Sequence, residues 1–337
     1  MSMTQQKILL GHGSGGRLMH QLIANLMVKK LGNPILKELS DSARIPYREK
    51  IAFTTDSFVV SPLTFPGGDI GKLAVCGTIN DLVVAGAHPE YLSLALILEE
   101  GLDYRLLEKI VESIAMHCRK TGVSCVTGDI KVVEKGACDK MFINTTGIGR
   151  MVNTRTLSLK NIKAGDKVIV TGEIGQHGMA VLSKRKELDL RLNIKSDCRA
   201  LDSLLLPVLK RMRGVRFMRD PTRGGLASTL HEITQATGLG LRIEEKQIPV
   251  SAQVKVACEL LGIDPLYVAN EGCAVMVVAE NSAKKVLRFL KNHPLGRKAR
   301  VVGEVISKPQ GLVILETRLG TERLLEMLTS EPLPRIC

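Results

Sequence analysis

The sequence has no tryptophan, and aromatic residues make up only 3% of its 337 positions. Proteins that bind single-stranded nucleic acid stack bases on aromatic side chains, so that class is disfavoured despite a net charge of +13. No apolar run approaches the roughly 20 residues that a bilayer needs. The opening MSMTQQKILLGHGSGG lacks the apolar centre and small-residue cleavage site of a secretory leader, and a cytoplasmic protein with no membrane partner is expected. The cysteines at 76, 118, 125, 138, 198, 258, 273 and 337 include no pair with the two-residue gap of a zinc knuckle. In a reducing compartment they are expected as thiols, and Cys76, Cys125 and Cys258 have apolar neighbours that read as core. No repeat of roughly 20–50 residues is present, which argues against a solenoid.

Hydrophobic residues at 45% and charged residues at 24% are the balance of a soluble globular chain long enough for two domains. The basic excess gathers in Lys184-Arg185-Lys186 and Lys210-Arg211-Met212-Arg213, suited to water, an acidic partner or a nucleotide. Apolar spacing predicts a helix over 17–31, behind a glycine-rich loop at Gly11–Gly16. IAFTTD, YLSLALIL, GVSCVTGD and MFINTTGIGR read as strands, with a helix in DYRLLEKIVESIAMHCRKTG, closing a first unit near residue 150. A second unit opens with GDKVIVTGEIG and carries strands GLRIEE, CAVMVVAE, ARVVGEV and GLVILE. Its helices are expected in HGMAVLSKRKEL, RALDSLLLPVLKRM, LASTLHEITQATG, AKKVLRFLKNH and TERLLEMLTS. Strands and helices mix without strict alternation, which predicts an α+β fold.

Three acidic residues end Thr-, Asn- or Gly-containing turns: Asp56, Asp81 and Asp129. Converging at one sheet edge, they could hold a hard cation through oxygen, and magnesium in such a setting implies phosphate. Asp also closes turns and caps helices for purely local reasons, so each alone is a weak signal. Gly11, Gly13 and Gly16 fit G-x-G-x-x-G formally, but no clean βαβ unit with an acidic partner follows, so only the phosphate-embracing backbone survives from that motif. Asp220-Pro221-Thr222-Arg223-Gly224-Gly225 is a second candidate phosphate loop, with Arg223 as a possible ligand. The chain ends in Pro332-Leu333-Pro334-Arg335-Ile336-Cys337, a stiffened segment carrying a terminal thiol. A thiolate is intrinsically nucleophilic and suits a covalent carrier.

Gly11–Gly16, Thr54–Ser57, Asn80-Asp81, Gly128–Val133, Asp220–Leu226, Asn270-Glu271-Gly272 and the terminal Pro-Arg-Ile-Cys together resemble, in order along the whole chain, the HypE family of hydrogenase maturation proteins. The terminal tetrapeptide is the specific part; the glycine loops are not. The family is similar in fold to aminoimidazole ribonucleotide synthetase and selenophosphate synthetase. The resemblance implies an N-terminal α/β domain whose sheet pairs with its copy in a homodimer, a C-terminal α+β domain, and a flexible C-terminal tail. Domains are expected at 1–45 (glycine loop and helix), 46–155 (ATP-binding), 156–320 (α+β) and 321–337 (helix and tail). It implies ATP and Mg2+ as cofactors, held by Gly11, His12, Gly13, Ser14, Gly15, Gly16, Asp56, Asn80, Asp81, Asp129, Asp220 and Arg223, with the metal on Asp56, Asp81 and Asp129. A HypF carbamoyltransferase would load Cys337, ATP would convert the thiocarbamate to a thiocyanate, and a HypC–HypD complex would receive the cyano group. Lys131 and Glu271 are the candidates to act beside Cys337, on oxygen and nitrogen respectively. Two other readings stay open: a small-molecule kinase of the selenophosphate synthetase type, and a non-catalytic carrier. The kinase type has its reactive Cys or selenocysteine near the N-terminus, whereas the first cysteine here is Cys76.

Overall fold

The structure is a computed structural model that describes residues 7–13, 17–38, 45, 47, 49–152, 157–185, 193–327 and 335–337. The N-terminal domain runs β1 (Ile51–Phe58), α1 (Ile70–Val84), β2 (Ala87–Glu99), α2 (Tyr104–Thr121), β3 (Ser124–Val133) and β4 (Met141–Met151). Its four strands lie in the order β1-β4-β2-β3, with only β2 and β3 parallel. Helix α2 begins where the Asp103 carboxylate accepts from the Arg105 amide at 2.8 Å and stops at Gly122, whose φ of 75° lies in the left-handed region. Helix α1 is apolar nearly all round because it is enclosed: α2 lies on one side, the sheet on the other. Gly71 makes the helix crossing possible, since a Cβ there would stand 2.7 Å from the Ile110 carbonyl oxygen.

The C-terminal domain contains β5 (Lys167–Val170), α3 (Gln176–Leu182), α4 (Asp202–Arg211), β6 (Val215–Arg219), α5 (Gly225–Thr237), β7 (Gly240–Glu244) and α6 (Ala252–Leu261). It continues through β8 (Val275–Val278), α7 (Glu280–Lys291), β9 (Arg300–Ile306), β10 (Val313–Glu316) and β11 (Glu322–Leu324). The seven strands order as β11-β10-β7-β9-β5-β8-β6. VMVV in β8 is buried at every position, so the sheet is covered on both faces at this strand, whereas β7 and β9 alternate buried and more exposed residues. One core runs from Leu73 and Ile79 in α1 through Leu204 and Leu205 in α4 to Met276, welding the domains together; a second, around Leu226, Leu230 and Val277, is confined to the far face.

Two segments differ from the sequence reading. Thr321–Ser330, read as a helix, holds β11 instead: Glu322–Leu324 pairs antiparallel with Ile314–Glu316 of β10, Ile314 opposite Leu324, and Leu325 enters the core. Residues 328–330 lie outside the described residues. Helix α6 was not anticipated, although Ser251 caps it by accepting from the Val254 amide and Gly262 ends it in a left-handed turn. Among the described residues, no helix is long and apolar enough to cross a membrane.

Candidate active site

Strand alternation sorts the N-terminal sheet into two faces. Asp56 pairs in register with Thr145, and Thr145 meets Thr78 of α1 through their hydroxyls at 2.5 Å, so Asp56 points toward the helix side. Asp81 comes from the last turn of α1 and accepts a hydrogen bond from the Thr54 hydroxyl at 2.7 Å. From the other domain, Asp220 follows the edge strand β6 and brings Thr222 and Arg223 with it. Asp56, Ser57, Phe58, Gly77, Asp81, Asp220, Thr222, Arg223, Glu271 and Cys337 line one cleft. It adjoins a space of about 780 Å³ that shares Asp56, Asp81, Asp220 and Arg223 with it and adds both apolar residues, Val84, Leu157, Phe217 and Met218, and polar ones, Arg219 and Glu232. That volume and polarity suit a nucleotide-sized ligand.

The electrostatics are those of crowded acids. Burial and then the neighbouring Asp81 push the Asp56 carboxyl up to about 7, with Arg223 opposing them. Asp220 rises to about 7 for the same reasons, burial first, then Asp81 and Asp56. Glu271 is 3% exposed and is pushed well above the usual carboxylate range by burial and by Asp220, Asp197 and Asp56. Its backbone is fixed by Asp197, whose two oxygens accept from the amides of Glu271 (3.2 Å) and Gly272 (2.9 Å). A divalent cation against Asp56, Asp81 and Asp220 would relieve this repulsion, which is the sense in which the residues fit magnesium. Among the described residues no group of three or more His, Cys, Asp or Glu side chains is arranged to hold an ion alone. Phosphate oxygens and water would therefore complete the shell.

The expected convergence of Asp56, Asp81 and Asp129 does not occur within one chain. Asp129 is opposite Ala95, which is opposite Asn144, which is opposite Ser57, a row on the outer face of the sheet. Lys131, opposite Ile97, lies in the next row of that face. Asp220 takes the third place beside Asp56 and Asp81. Asn80 is also displaced from its expected role: it is buried, its amide nitrogen donates to the carbonyls of Arg199 (3.0 Å) and Glu271 (3.4 Å), and its oxygen accepts from the Leu201 amide. It brackets the domain junction instead of facing the cleft. Gly11 and Gly13 belong to a tight turn, Leu10–Gly13, packed beside β3, and His12 folds back to accept from the Leu9 amide at 3.0 Å. Ser14, Gly15 and Gly16 lie outside the described residues.

The tail is docked. The Val59 amide donates to the Cys337 carbonyl (3.3 Å) and the Ser61 amide to the Arg335 carbonyl (3.1 Å), the pattern of a short antiparallel strand. The Ile336 side chain is 1% exposed, and Cys337 is half-buried at the cleft. His177 and Asp139, which touch this tail, carried no signal in the sequence, and Arg185 stood out only as part of a basic cluster, because each is more than a hundred residues away from the tail.

Residues 39–151 match the family described as AIR synthase related protein, N-terminal domain, and residues 163–316 match its C-terminal domain. A carbamoyl dehydratase HypE of Cupriavidus necator is 47% identical over 98% of this chain and 95% of its own length. The chain belongs to the HypE family. A HypE solved in complex with ATP superimposes with a TM-score of 0.94 at 44% identity, over 98% of this chain and 99% of that one. A HypE from a HypE–HypF complex gives 0.80 at 45% identity, over 91% and 99%. The two-domain AIR synthase-like fold expected from the resemblance is therefore the fold of this HypE-family chain, and the α+β reading holds.

Proposed function

We propose that this chain is an ATP-dependent carbamoyl dehydratase that turns an S-carbamoyl group on its own Cys337 into an S-cyano group for hydrogenase maturation. The observation that carries the reading is the docked tail, with Cys337 lining the same cleft as Asp56, Asp81, Asp220 and Glu271. The ATP-bound relative supports ATP as co-substrate, and the 45%-identical HypE in complex with HypF supports a HypF carbamoyltransferase as the loader. A HypC–HypD complex as acceptor, and the cytoplasm as the compartment, belong to the same proposal.

Dehydration of R–S–C(=O)–NH2 requires its oxygen to become a leaving group. The carbamoyl oxygen attacks the γ-phosphorus, ADP departs, and one N–H proton is lost, giving R–S–C(=NH)–O–PO3. Loss of the second N–H proton with departure of phosphate leaves R–S–C≡N. Asp56, Asp81 and Asp220 would hold Mg2+, which offsets charge on the phosphates when bound. Glu271 is the proposed proton acceptor: the surroundings that raise its pKa make it a strong base once ionised. Lys131 is proposed to stabilise charge on the reacting oxygen.

Lys131, Asp129 and the Gly11–Gly13 turn sit on or beside the outer sheet face, away from Cys337 of the same chain. We assign their part in the reaction to a homodimer in which the outer faces of two copies meet. Exposed Ile51, Phe53 and Ile97 on that face support it, Phe53 being 67% exposed.

Intact-mass analysis of protein carbamoylated by its transferase, before and after ATP and magnesium, tests the reading. Loss of one water from an adduct mapped to Cys337 is expected. An adduct that keeps its water would leave a carrier, and no adduct on Cys337 would bring forward a small-molecule kinase.

A further inference from the structure

Three sets of contacts hold the end of the chain, reaching the backbone and side chains of Arg335–Cys337. Along the backbone, the Val59 and Ser61 amides donate to the carbonyls of Cys337 and Arg335 as described above. His177 reaches the carbonyl between them: its Nε2 lies 2.9 Å from the Ile336 oxygen. Its other nitrogen, Nδ1, is 2.8 Å from the Ser196 hydroxyl, whose oxygen also accepts from the Cys198 amide. A carbonyl can only accept, so Nε2 carries the proton and Nδ1 accepts from Ser196. Burial pushes the His177 imidazole down to about 4, which keeps it in this neutral, oriented form. Arg185 adds a third main-chain contact, donating to the Arg335 carbonyl at 3.0 Å and to the Ser61 carbonyl at 3.1 Å.

Side chains give the register. The Arg335 guanidinium pairs with Asp139 at 2.7 Å, donates to the Val59 carbonyl at 3.0 Å and lies over the Phe142 ring. The same pairing holds the Asp139 carboxyl below its ordinary range. Ile336 is enclosed in the core shared by both domains. An extended peptide held through its backbone, with alternate side chains read in separate places, is strand-addition recognition. A slip of one residue would, according to its direction, bring Ile336 to Asp139 or Arg335 into the apolar core, so only one register satisfies both.

We infer that Val59–Ser61, Asp139, His177 and Arg185 form a reader for a terminal Arg-Ile-Cys peptide, and that they position Cys337 in the cleft by recognising residues 335 and 336. The inference rests on the proposed dehydratase reading for its purpose, but the docking it describes is separable from the chemistry. The side chains it reads, Arg335 and Ile336, precede the terminal residue, and the Val59 amide holds the Cys337 carbonyl. Asp139 and Arg335 are positioning residues in this scheme: they act on the reaction through the place they give Cys337.

A charge swap in the full-length protein tests it, with two readouts. The first is the rate at which a thiol-alkylating reagent labels Cys337, followed by peptide mass; the second is single-turnover conversion of the carbamoylated protein with ATP and magnesium. Asp139→Arg and Arg335→Asp alone should each raise the labelling rate and lower the conversion rate by about fivefold, the scale of a half-exposed ion pair. The double variant should return both rates toward those of the parent, which a loss of folding in the singles could not do. Single variants indistinguishable from the parent in both readouts, or a double variant no better than the singles, would overturn the reader. Failure of the dehydratase reading looks different: the parent adduct keeps its water with ATP, while labelling of Cys337 still follows the swap.

Discussion

The two faces of the N-terminal sheet are made by the same strands and have opposite fates. The inner face is closed by α1 and by the other domain, and there Asp56 joins Asp81, Asp220, Glu271 and Cys337. The outer face carries Asp129 and Lys131 in a field of Thr55, Ser57, Asn144 and Thr146, bordered by exposed Ile51, Phe53 and Ile97. In the C-terminal sheet the contrast is weaker: β8 is buried at every position, while β7 and β9 keep Arg242 and Glu304, paired in register, toward water on one face. A strand alternates its side chains, so a sheet covered on one side presents half of its residues to whatever lies beyond the chain. Residues placed on that half act on something outside it, and a second copy of the same sheet is the proposed occupant.

The largest effects fall on the inner half. Cys337→Ala should abolish both the carbamoyl adduct and any loss of water from it, read by intact mass. An adduct that persists at another cysteine would break the assignment of the tail. Glu271→Gln should leave loading of Cys337 intact while slowing conversion about 10²–10⁴-fold. Equal slowing of loading and conversion would instead mark Glu271 as a structural residue.

On the outer half, Lys131→Ala should slow conversion about 10²–10³-fold, as loss of a charge-stabilising donor does. The sharper form of the experiment mixes two inactive proteins. In a mixed dimer of Lys131→Ala and Cys337→Ala chains, one intact Lys131 faces one intact Cys337 only if the residues meet across the interface. Partial recovery of conversion on mixing is expected. No recovery, with exchange of subunits verified by mass, would mean that Lys131 acts within its own chain or not at all.

Much of the inner half was legible in the sequence, whereas on the outer half Asp129 was legible as an acidic turn residue and Lys131 only by analogy. Asp103, the spacing of Leu107, Ile110, Val111 and Ile114, and Gly122 marked α2 from cap to stop, because every signal there is local. Asp56 and Asp81, like Asp129, were readable as acidic turn residues, Cys337 as a terminal thiol suited to a covalent carrier, and Glu271 through the resemblance. Asp197, His177, Asp139 and Arg185 were not, since a buried bracket or a tail contact depends on chain segments that only the fold brings together. The side on which Asp129 points depends on strand register, which spacing along one strand does not give. The error at 321–330 has the same root. Leu324, Leu325 and Met327 mimic helical spacing over a short stretch, and the edge of a sheet supplied by β10 decides for a strand.

Smaller effects should separate the faces by stability. Leu73→Ala, in the core beneath the sheet, should cost about 2–5 kcal/mol, measured by denaturant unfolding. Phe53→Asp removes no buried contact within the chain and should change that quantity little, yet shift the mass measured by light scattering from dimer to monomer. A dimer that survives Phe53→Asp together with Ile97→Asp would place the interface elsewhere.

The smallest predicted effect is a slope. Asp56 and Asp220 have ordinary carboxyl values of 3.8 and are raised to about 7 in the fold. Between those limits the folded chain holds protons that the unfolded chain has released, so their contribution to stability is full below about 3.8 and is lost as pH climbs through 7. The driving force is burial compounded by like charge, and a divalent cation binds only the ionised form, so it should act most where the penalty is greatest. In metal-free buffer the melting temperature should therefore fall as pH rises from about 4 to about 7 and level off above that. Asp220→Asn should flatten that slope, and magnesium should raise the melting temperature more at the alkaline end than at the acidic end. The outer-face Asp129→Asn is the control, since Asp129 stands apart from this cluster and its removal should leave the slope as it was. If Asp129→Asn flattens the slope as much as Asp220→Asn does, the two faces share one electrostatic site and the division between them fails.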